Sequence, residues 1–442
     1  MTATGAESGA GVGRREVRRT SMVSLLGSTI EWYDFFIYGT AAALVLNTAF
    51  FPSVDPFVGT LAAFSSFAVG FLARPIGGII WGHFGDRIGR KKALVSALFL
   101  MGASTTLVGL LPSYATIGVA APVLLFVLRI LQGLAVGGQW GGAVLIATEY
   151  APPHRKGFYG SFPQLGVPIA VIVSNGLFLA LEAGLGEEAF ESWGWRVPFL
   201  LSILLIGVAL YAQLRLEETP AFKEIAARDV SGAEGAPKKR SPIIEVLRSH
   251  PKQVILAAGS FIAVNGGFYI YIVYALSYGV KVLDLPESTM LVGILGSSAV
   301  NLALIPLFAL LSDRVGRRPV YLAGAVGTVV AAFPVFWLID TRSTFLIFLG
   351  LLIGGIANSA MYGPQAALFA ELFSAEVRYS GASLGYQIGA VLGGGLAPLI
   401  AASLYEATGT SASTSWYLLA MGVVTAVSAW LLHETHRPKE FV

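Results

Sequence analysis

The stretch Gly82-His83-Phe84-Gly85-Asp86-Arg87-Ile88-Gly89-Arg90-Lys91-Lys92 decides how this chain is read, because its centre returns later as Ser312-Asp313-Arg314-Val315-Gly316-Arg317-Arg318. Each copy is a short polar loop of aspartate, glycine and arginine set between two long apolar runs. A second pair agrees with the first. Glu149 to Arg155 followed by Gln164-Leu165-Gly166 mirrors Glu371 to Arg378 followed by Gln387-Ile388-Gly389. The chain therefore reads as two related halves.

The solvent for those halves is lipid. Of 442 residues, 55% are hydrophobic and only 12% charged, with a mean hydropathy of +0.71, whereas a soluble domain carries about a quarter charged residues. Crossing about 30 Å of hydrocarbon takes roughly 20 apolar residues in a helix. Spans of that kind fall near 22–47, 57–82, 93–112, 120–148, 158–183 and 195–215, then near 252–280, 288–311, 319–339, 344–369, 379–405 and 414–433. The expected organisation is a tail over 1–21, a six-helix bundle over 22–215, a polar linker over 216–251, a second six-helix bundle over 252–433 and a tail over 434–442. The fold class is all-α, twelve transmembrane helices in two bundles related by pseudo-twofold symmetry. Parallel six-helix repeats are an architecture of secondary transporters, with the substrate near the midplane between the halves.

Lysine and arginine set the orientation. They gather in the first tail (Arg14, Arg15, Arg18, Arg19), the linker and the loops after even-numbered spans, while Arg196, Lys281 and Arg342 fall on the other side. Both termini are expected in the cytosol of a bacterial-type cytoplasmic membrane. The basic tail and the apolar run after it resemble a secretory signal, but that run holds Glu31 and Asp34 and lacks a small-residue cleavage site. We read it as the first span, without cleavage.

Absent motifs exclude several functions. There is no cysteine, hence no disulfide, thiolate nucleophile or zinc–thiolate site. There is no HExxH and no phosphate-binding loop, so neither a metalloprotease nor an ATP-driven pump is indicated, and no enzyme is expected. Linker and tails are too short for the output domain of a sensor. No cofactor, metal or nucleic acid is called for. The expected partners are a small metabolite, the proton and membrane lipid, with the monomer as the working unit and the proton gradient as energy source.

The loop from Gly82 to Lys92 resembles the signature loop of the major facilitator superfamily. Glu31-Trp32-Tyr33-Asp34-Phe35 and Ala73-Arg74-Pro75-Ile76-Gly77 are similar to its metabolite:proton symporter branch, which takes in shikimate, 2-oxoglutarate, citrate and proline/betaine carriers. Ser192 to Phe199, Glu371-Leu372-Phe373 and Val377-Arg378-Tyr379 look most like the shikimate-type members. The resemblance implies proton-coupled uptake of a small organic acid by alternating access. It also implies a coupling role for an acid on the first helix and an arginine on the fourth. A proton-coupled exporter of drugs or metabolites on the same fold is the alternative. Two departures stand out. Gln139 occupies a position where relatives commonly carry an acid, and no long coiled-coil extension follows the last span, which weakens an osmosensor reading.

Charges inside the spans mark the expected site, because a charge in hydrocarbon costs several kcal/mol unless paired or hydrated. At about 1.5 Å per residue, Asp34 lies roughly 18 Å deep and Glu31 roughly 13 Å. Arg74 reaches the same layer, and Arg129 lies beyond it. We expect Asp34, Glu31 and Arg129 in proton coupling, through a carboxylate facing an arginine that is released on protonation. Arg74, Arg129, Gln132, Gln139, Tyr362 and Gln365 are the expected substrate contacts. Weaker candidates include Asn265, Asn358, Gln164 and Gln387. Asp86, Arg87, Arg90, Glu149 and Arg155, with Asp313, Arg314, Arg317, Glu371 and Arg378, are read as a cytosolic gate. The competing reading is a buried polar network that only fixes helix register, and for the loop residues an orientation signal. All five histidines fall at helix ends or loops, so none is expected to carry the coupled proton.

Overall fold

In lipid every backbone N–H and C=O has to be satisfied inside its own segment, so long apolar runs close into helices. The computed structural model describes residues 14–52, 55–88, 90–137, 144, 147–148, 151–214, 242–374 and 378–436; for 14–20, 82–94, 208–214, 242–245 and 379 it describes the backbone only. Among the described residues there are no strands and twelve helical spans. The first six are α1 (Arg14–Leu44), α2 (Pro56–Ile88), α3 (Arg90–Leu110), α4 (Ala120–Val136), α5 (Lys156–Leu185) and α6 (Val197–Leu214). The second six are α7 (Pro251–Lys281), α8 (Glu287–Val315), α9 (Arg317–Asp340), α10 (Thr344–Glu371), α11 (Arg378–Gly389, continued by Ala397–Thr408) and α12 (Ala412–Leu431). Most of the linker lies outside the described residues; its last part forms a short helix, Pro242–Ser249.

Eight of these helices are long and apolar enough to cross a membrane by length and composition. The first is not among them, because Glu31 and Asp34 break its apolar run. It also starts at Arg14 rather than near 22. Large apolar side chains such as Phe99, Leu204, Ile255, Val330 and Trp430 stand more than half exposed on the outside of the bundle. A soluble protein would show polar residues there.

Within the first six, α1 lies along α5, α2 along α4 and α3 along α6. Glycine makes the second of these pairings close. A Cβ on Gly133 would collide with the Gly70 carbonyl oxygen, and one on Gly137 with that of Arg74, so α2 and α4 touch backbone to backbone. The two halves meet where α5 packs on α8 and α10, and α2 on α11. Among the described residues, π-helical turns occur only in the second half. π-helical turns interrupt α7 at Ile270–Tyr274 and α11 at Ala390–Gly395, and such turns are frequent at functional sites.

Candidate functional site

The α2–α4 contact delivers two arginines to the inner face of α1. Arg129 is fully buried, with its guanidinium 3.7 Å from the centre of the Tyr38 ring and 5.1 Å and 5.6 Å from those of Phe35 and Phe67. A desolvated cation on an aromatic face gains about 2 kcal/mol. Gly70 leaves room for it, since a Cβ there would stand 2.8 Å from Arg129 Nη2. Ser66 donates to the Ala63 carbonyl at 2.6 Å, so Tyr38 donates its own proton to Ser66 at 2.5 Å. That bond fixes the ring beneath the cation.

A chain of hydrogen bonds joins Arg129 to Asp34. Arg129 Nη1 donates to Gln132 Oε1 in a short bond. Gln132 Nε2 donates to Thr105 Oγ1 at 2.7 Å, and Thr105 Oγ1 stands 3.1 Å from Asp34 Oδ2 and 2.9 Å from the Met101 carbonyl. The other carboxylate oxygen, Asp34 Oδ1, has no hydrogen-bond partner among the described residues. Asp34 is fully buried. Among the described residues no guanidinium approaches Asp34 or Glu31 within 4.0 Å, so the direct carboxylate–arginine pairing expected from the sequence is replaced by a relay through a hydroxyl and an amide. Thr105 was not singled out from the sequence.

Arg74 has a similar setting. It is 1% exposed and lies 3.9 Å from the ring centres of both Phe35 and Phe71, with Trp32 at 5.5 Å. Glu31 is its electrostatic partner. The Nε and Nη2 atoms of Arg74 and of Arg129 have no hydrogen-bond partner, leaving two cationic groups in reserve inside the first half.

A small cavity lies between the halves, lined by Trp32 and Val167 from the first and by α7, α10 and α11 from the second. Tyr362 lines it as expected, together with Asn265, Asn358 and Tyr386. Arg74, Arg129 and Gln132 do not. Aromatic rings separate them from it: Phe36 meets Phe268 at 5.5 Å, and Phe67 and Phe71 meet Tyr269 at 5.3 and 5.2 Å. Trp32 stacks on Phe36 from the cavity side.

The halves are fastened on both sides of the cavity. Towards the end bearing the α8–α9 junction, Gln164 Nε2 reaches the Tyr362 carbonyl at 3.3 Å and Gln365 Oε1 at 3.4 Å. Its repeat partner Gln387 donates to the Gly137 carbonyl at 3.0 Å. At the junction itself Asp313 accepts the Gly157 and Phe158 N–H groups, both at 2.8 Å, capping the start of α5 with a carboxylate where the helix dipole favours one. Arg317 pairs with Asp313 at 2.5 Å and with Glu371 at 3.5 Å. Glu434 then accepts the N–H groups of Arg317 and Arg318, and Thr435 donates to Glu371 at 2.7 Å. At the opposite end Lys281 Nζ donates to Thr60 at 3.2 Å.

Of the other expected gate residues, Arg378 and Glu371 border one small crevice together with Lys156, while Arg155 and Arg314 stand exposed. Gln139 and Glu149, and the side chains of Asp86, Arg87 and Arg90, lie outside the described residues.

Residues 20–437 match the family described as "Sugar (and other) transporter". The chain belongs to that family. It is a transporter of the major facilitator superfamily and not an enzyme. It is 42% identical over 423 residues to the shikimate transporter of Escherichia coli (strain K12), covering 95% of each chain. It is 41% identical over 421 residues to the inner membrane metabolite transport protein YhjE of the same organism, covering 94% and 93%. The proline/betaine transporter of Escherichia coli (strain K12) shares 35% over 428 residues, 96% of this chain and 85% of that one. Among solved structures, the partially occluded inward open xylose transporter XylE superposes with a TM-score of 0.74 at 19% identity, covering 95% of this chain and 98% of that one. The D-xylose-proton symporter does so at 0.73 and 19%, covering 94% and 98%. These bear out the twelve-helix fold. In this transporter Arg74 and Arg129 rest on aromatic rings and do not line the cavity.

Proposed function

We propose that this transporter is a proton-coupled symporter that brings a small hydroxylated carboxylate into the cytoplasm by alternating access. The observation that carries the reading is the relay Asp34–Thr105–Gln132–Arg129. Thr105 has one hydroxyl hydrogen and two acceptor positions. With Asp34 ionised, that hydrogen points to the carboxylate while Gln132 donates to the oxygen. With Asp34 protonated, Thr105 accepts from both Asp34 and Gln132 and turns its hydrogen to the Met101 carbonyl. The scaffold survives either protonation state, and only the negative charge disappears. Arg129 then lacks a balancing anion nearby, and the carboxylate of the cargo supplies one as the aromatic layer opens.

The two six-helix bundles, 22–215 and 252–433, move as the rocking units, with both termini and the linker in the cytosol of an inner membrane and the monomer as the working unit. Asp313 with Gly157 and Phe158, Arg317 with Glu371, and the two cross-half glutamines act as the cytosolic gate. Lys281 with Thr60 acts at the outer side. Similarity to a shikimate transporter supports the cargo class.

The test is uptake of radiolabelled shikimate, quinate, protocatechuate, 2-oxoglutarate, citrate and proline into proteoliposomes, with and without an inward proton gradient. We expect a hydroxylated acid to accumulate only under the gradient. Accumulation of none of them, or accumulation indifferent to the gradient, refutes the reading.

A further inference from the structure

Two arginines from different helices share one ring. Arg74 of α2 rests against Trp32, Phe35 and Phe71, and Arg129 of α4 against Phe35, Tyr38 and Phe67. Phe35 is common to both sets, with the Arg74 guanidinium carbon 3.9 Å and that of Arg129 5.1 Å from its centre. Its side chain is fully buried and packed edge-on against Phe71 at 5.4 Å. Glu31, Phe35 and Tyr38 follow one another at i, i+4 and i+7, so they share one face of α1. Along that face Glu31 is the electrostatic partner of Arg74, Phe35 meets both cations, and Tyr38 carries Arg129. Asp34, one residue before Phe35, reaches Arg129 through Thr105 and Gln132.

The two guanidiniums repel each other, and away from bulk water that repulsion is weakly screened. A ring face attracts a cation through its quadrupole. One ring placed against both cations offsets their repulsion and fixes each relative to the other. We propose that Phe35 is a positioning residue for proton release: it holds Arg74 and Arg129 as one unit and so keeps Arg129 where the relay can serve Asp34. This rests on the symporter reading and adds a residue to it. With the shared hold weakened, Arg129 leaves its station, ionised Asp34 loses its cation, and the proton stays bound after the cargo has left. Exchange of cargo, which needs no proton release, continues. A ring that merely filled space would affect both processes alike.

The experiment places 4-fluoro-, 3,5-difluoro- and 3,4,5-trifluorophenylalanine at Phe35 of the full chain. Fluorine keeps the shape of the ring nearly unchanged and withdraws electron density from its face, so the hold on a cation weakens step by step while packing is kept. In proteoliposomes with radiolabelled shikimate, gradient-driven accumulation should fall in the same order, about tenfold with the trifluoro ring, while exchange between equal pools stays within about twofold. In detergent the trifluoro ring should lower the melting temperature by about 2 °C. A smaller drop should persist in Arg74→Gln and in Arg129→Gln, where one cation remains, and vanish when both substitutions are combined. Equal loss of accumulation and exchange, accumulation unchanged across the series, a melting shift that survives without both arginines, or one that vanishes when either alone is removed overturns the proposal. If the native protein accumulates no shikimate under the gradient while the melting series behaves as expected, the shared hold stands, and the symporter reading falls together with the coupling role built on it.

Discussion

The two halves of this transporter share a fold and divide the chemistry. Glu31, Asp34, Arg74 and Arg129 are all buried in the first half, held by a backbone-close α2–α4 contact and by aromatic rings. The corresponding depth of the second half offers carboxamides and phenols (Asn265, Asn358, Tyr362 and Tyr386), and the irregular turns of α7 and α11 lie in that half too. A duplicated bundle supplies two inner faces from one set of packing rules. In the proposed symport the first face carries the charges that answer to a proton, while the second holds neutral donors and acceptors.

Several substitutions would break or sharpen that division. The largest effect belongs to Asp34→Asn, which should lower gradient-driven accumulation more than 100-fold while sparing exchange of substrate between two equal pools; a variant that still accumulates would move coupling elsewhere. Next comes Gly133→Leu. Backbone lies where its side chain must go, so α2 and α4 separate, at a cost of about 3 kcal/mol, read as a lowered melting temperature in detergent. Gly70→Ala should cost less stability than Gly133→Leu and still impair transport, because the group it meets is the Arg129 guanidinium and not backbone. Thr105→Val keeps the shape and removes the hydroxyl; uptake should fall about tenfold, a loss of about 1.4 kcal/mol in the relay. For the gate, the chain is cysteine-free, so Ala366→Cys is a clean reporter on a buried position that faces Gly160 of α5. Adding Asp313→Asn should speed its maleimide labelling severalfold by weakening the two bonds to the start of α5. Arg314→Ala, at an exposed position, should change labelling and stability very little.

Much of this arrangement was legible in the sequence. The repeated Asp-Arg-x-Gly-Arg loop and the spacing of apolar runs gave the twelve helices. Charge rarity in lipid pointed to Asp34, Arg74 and Arg129. What stayed hidden has a physical reason in each case. Thr105 escapes notice because a hydroxyl in an apolar helix usually bonds its own backbone, as Thr105 also does with Met101. Gln132 has the right spacing from Arg129 for a pocket residue, yet that same spacing lets it bond Arg129 and face inward. The aromatic layer between the guanidiniums and the cavity arises from residues of both halves, and no local pattern announces it. Gln164 and Gln387 appear in the sequence as a repeat-related pair, but their crossing to the opposite half is a property of docking.

The most direct test of the division is the proton movement that accompanies substrate. Shikimate is added to lightly buffered proteoliposomes while external pH is followed, with native protein and with Asp34→Asn side by side. The expected result is alkalinisation with the native protein and none with Asp34→Asn, although the variant still exchanges shikimate. Alkalinisation of equal size with both proteins would contradict the account, because the coupled proton would then travel by a route that does not include Asp34.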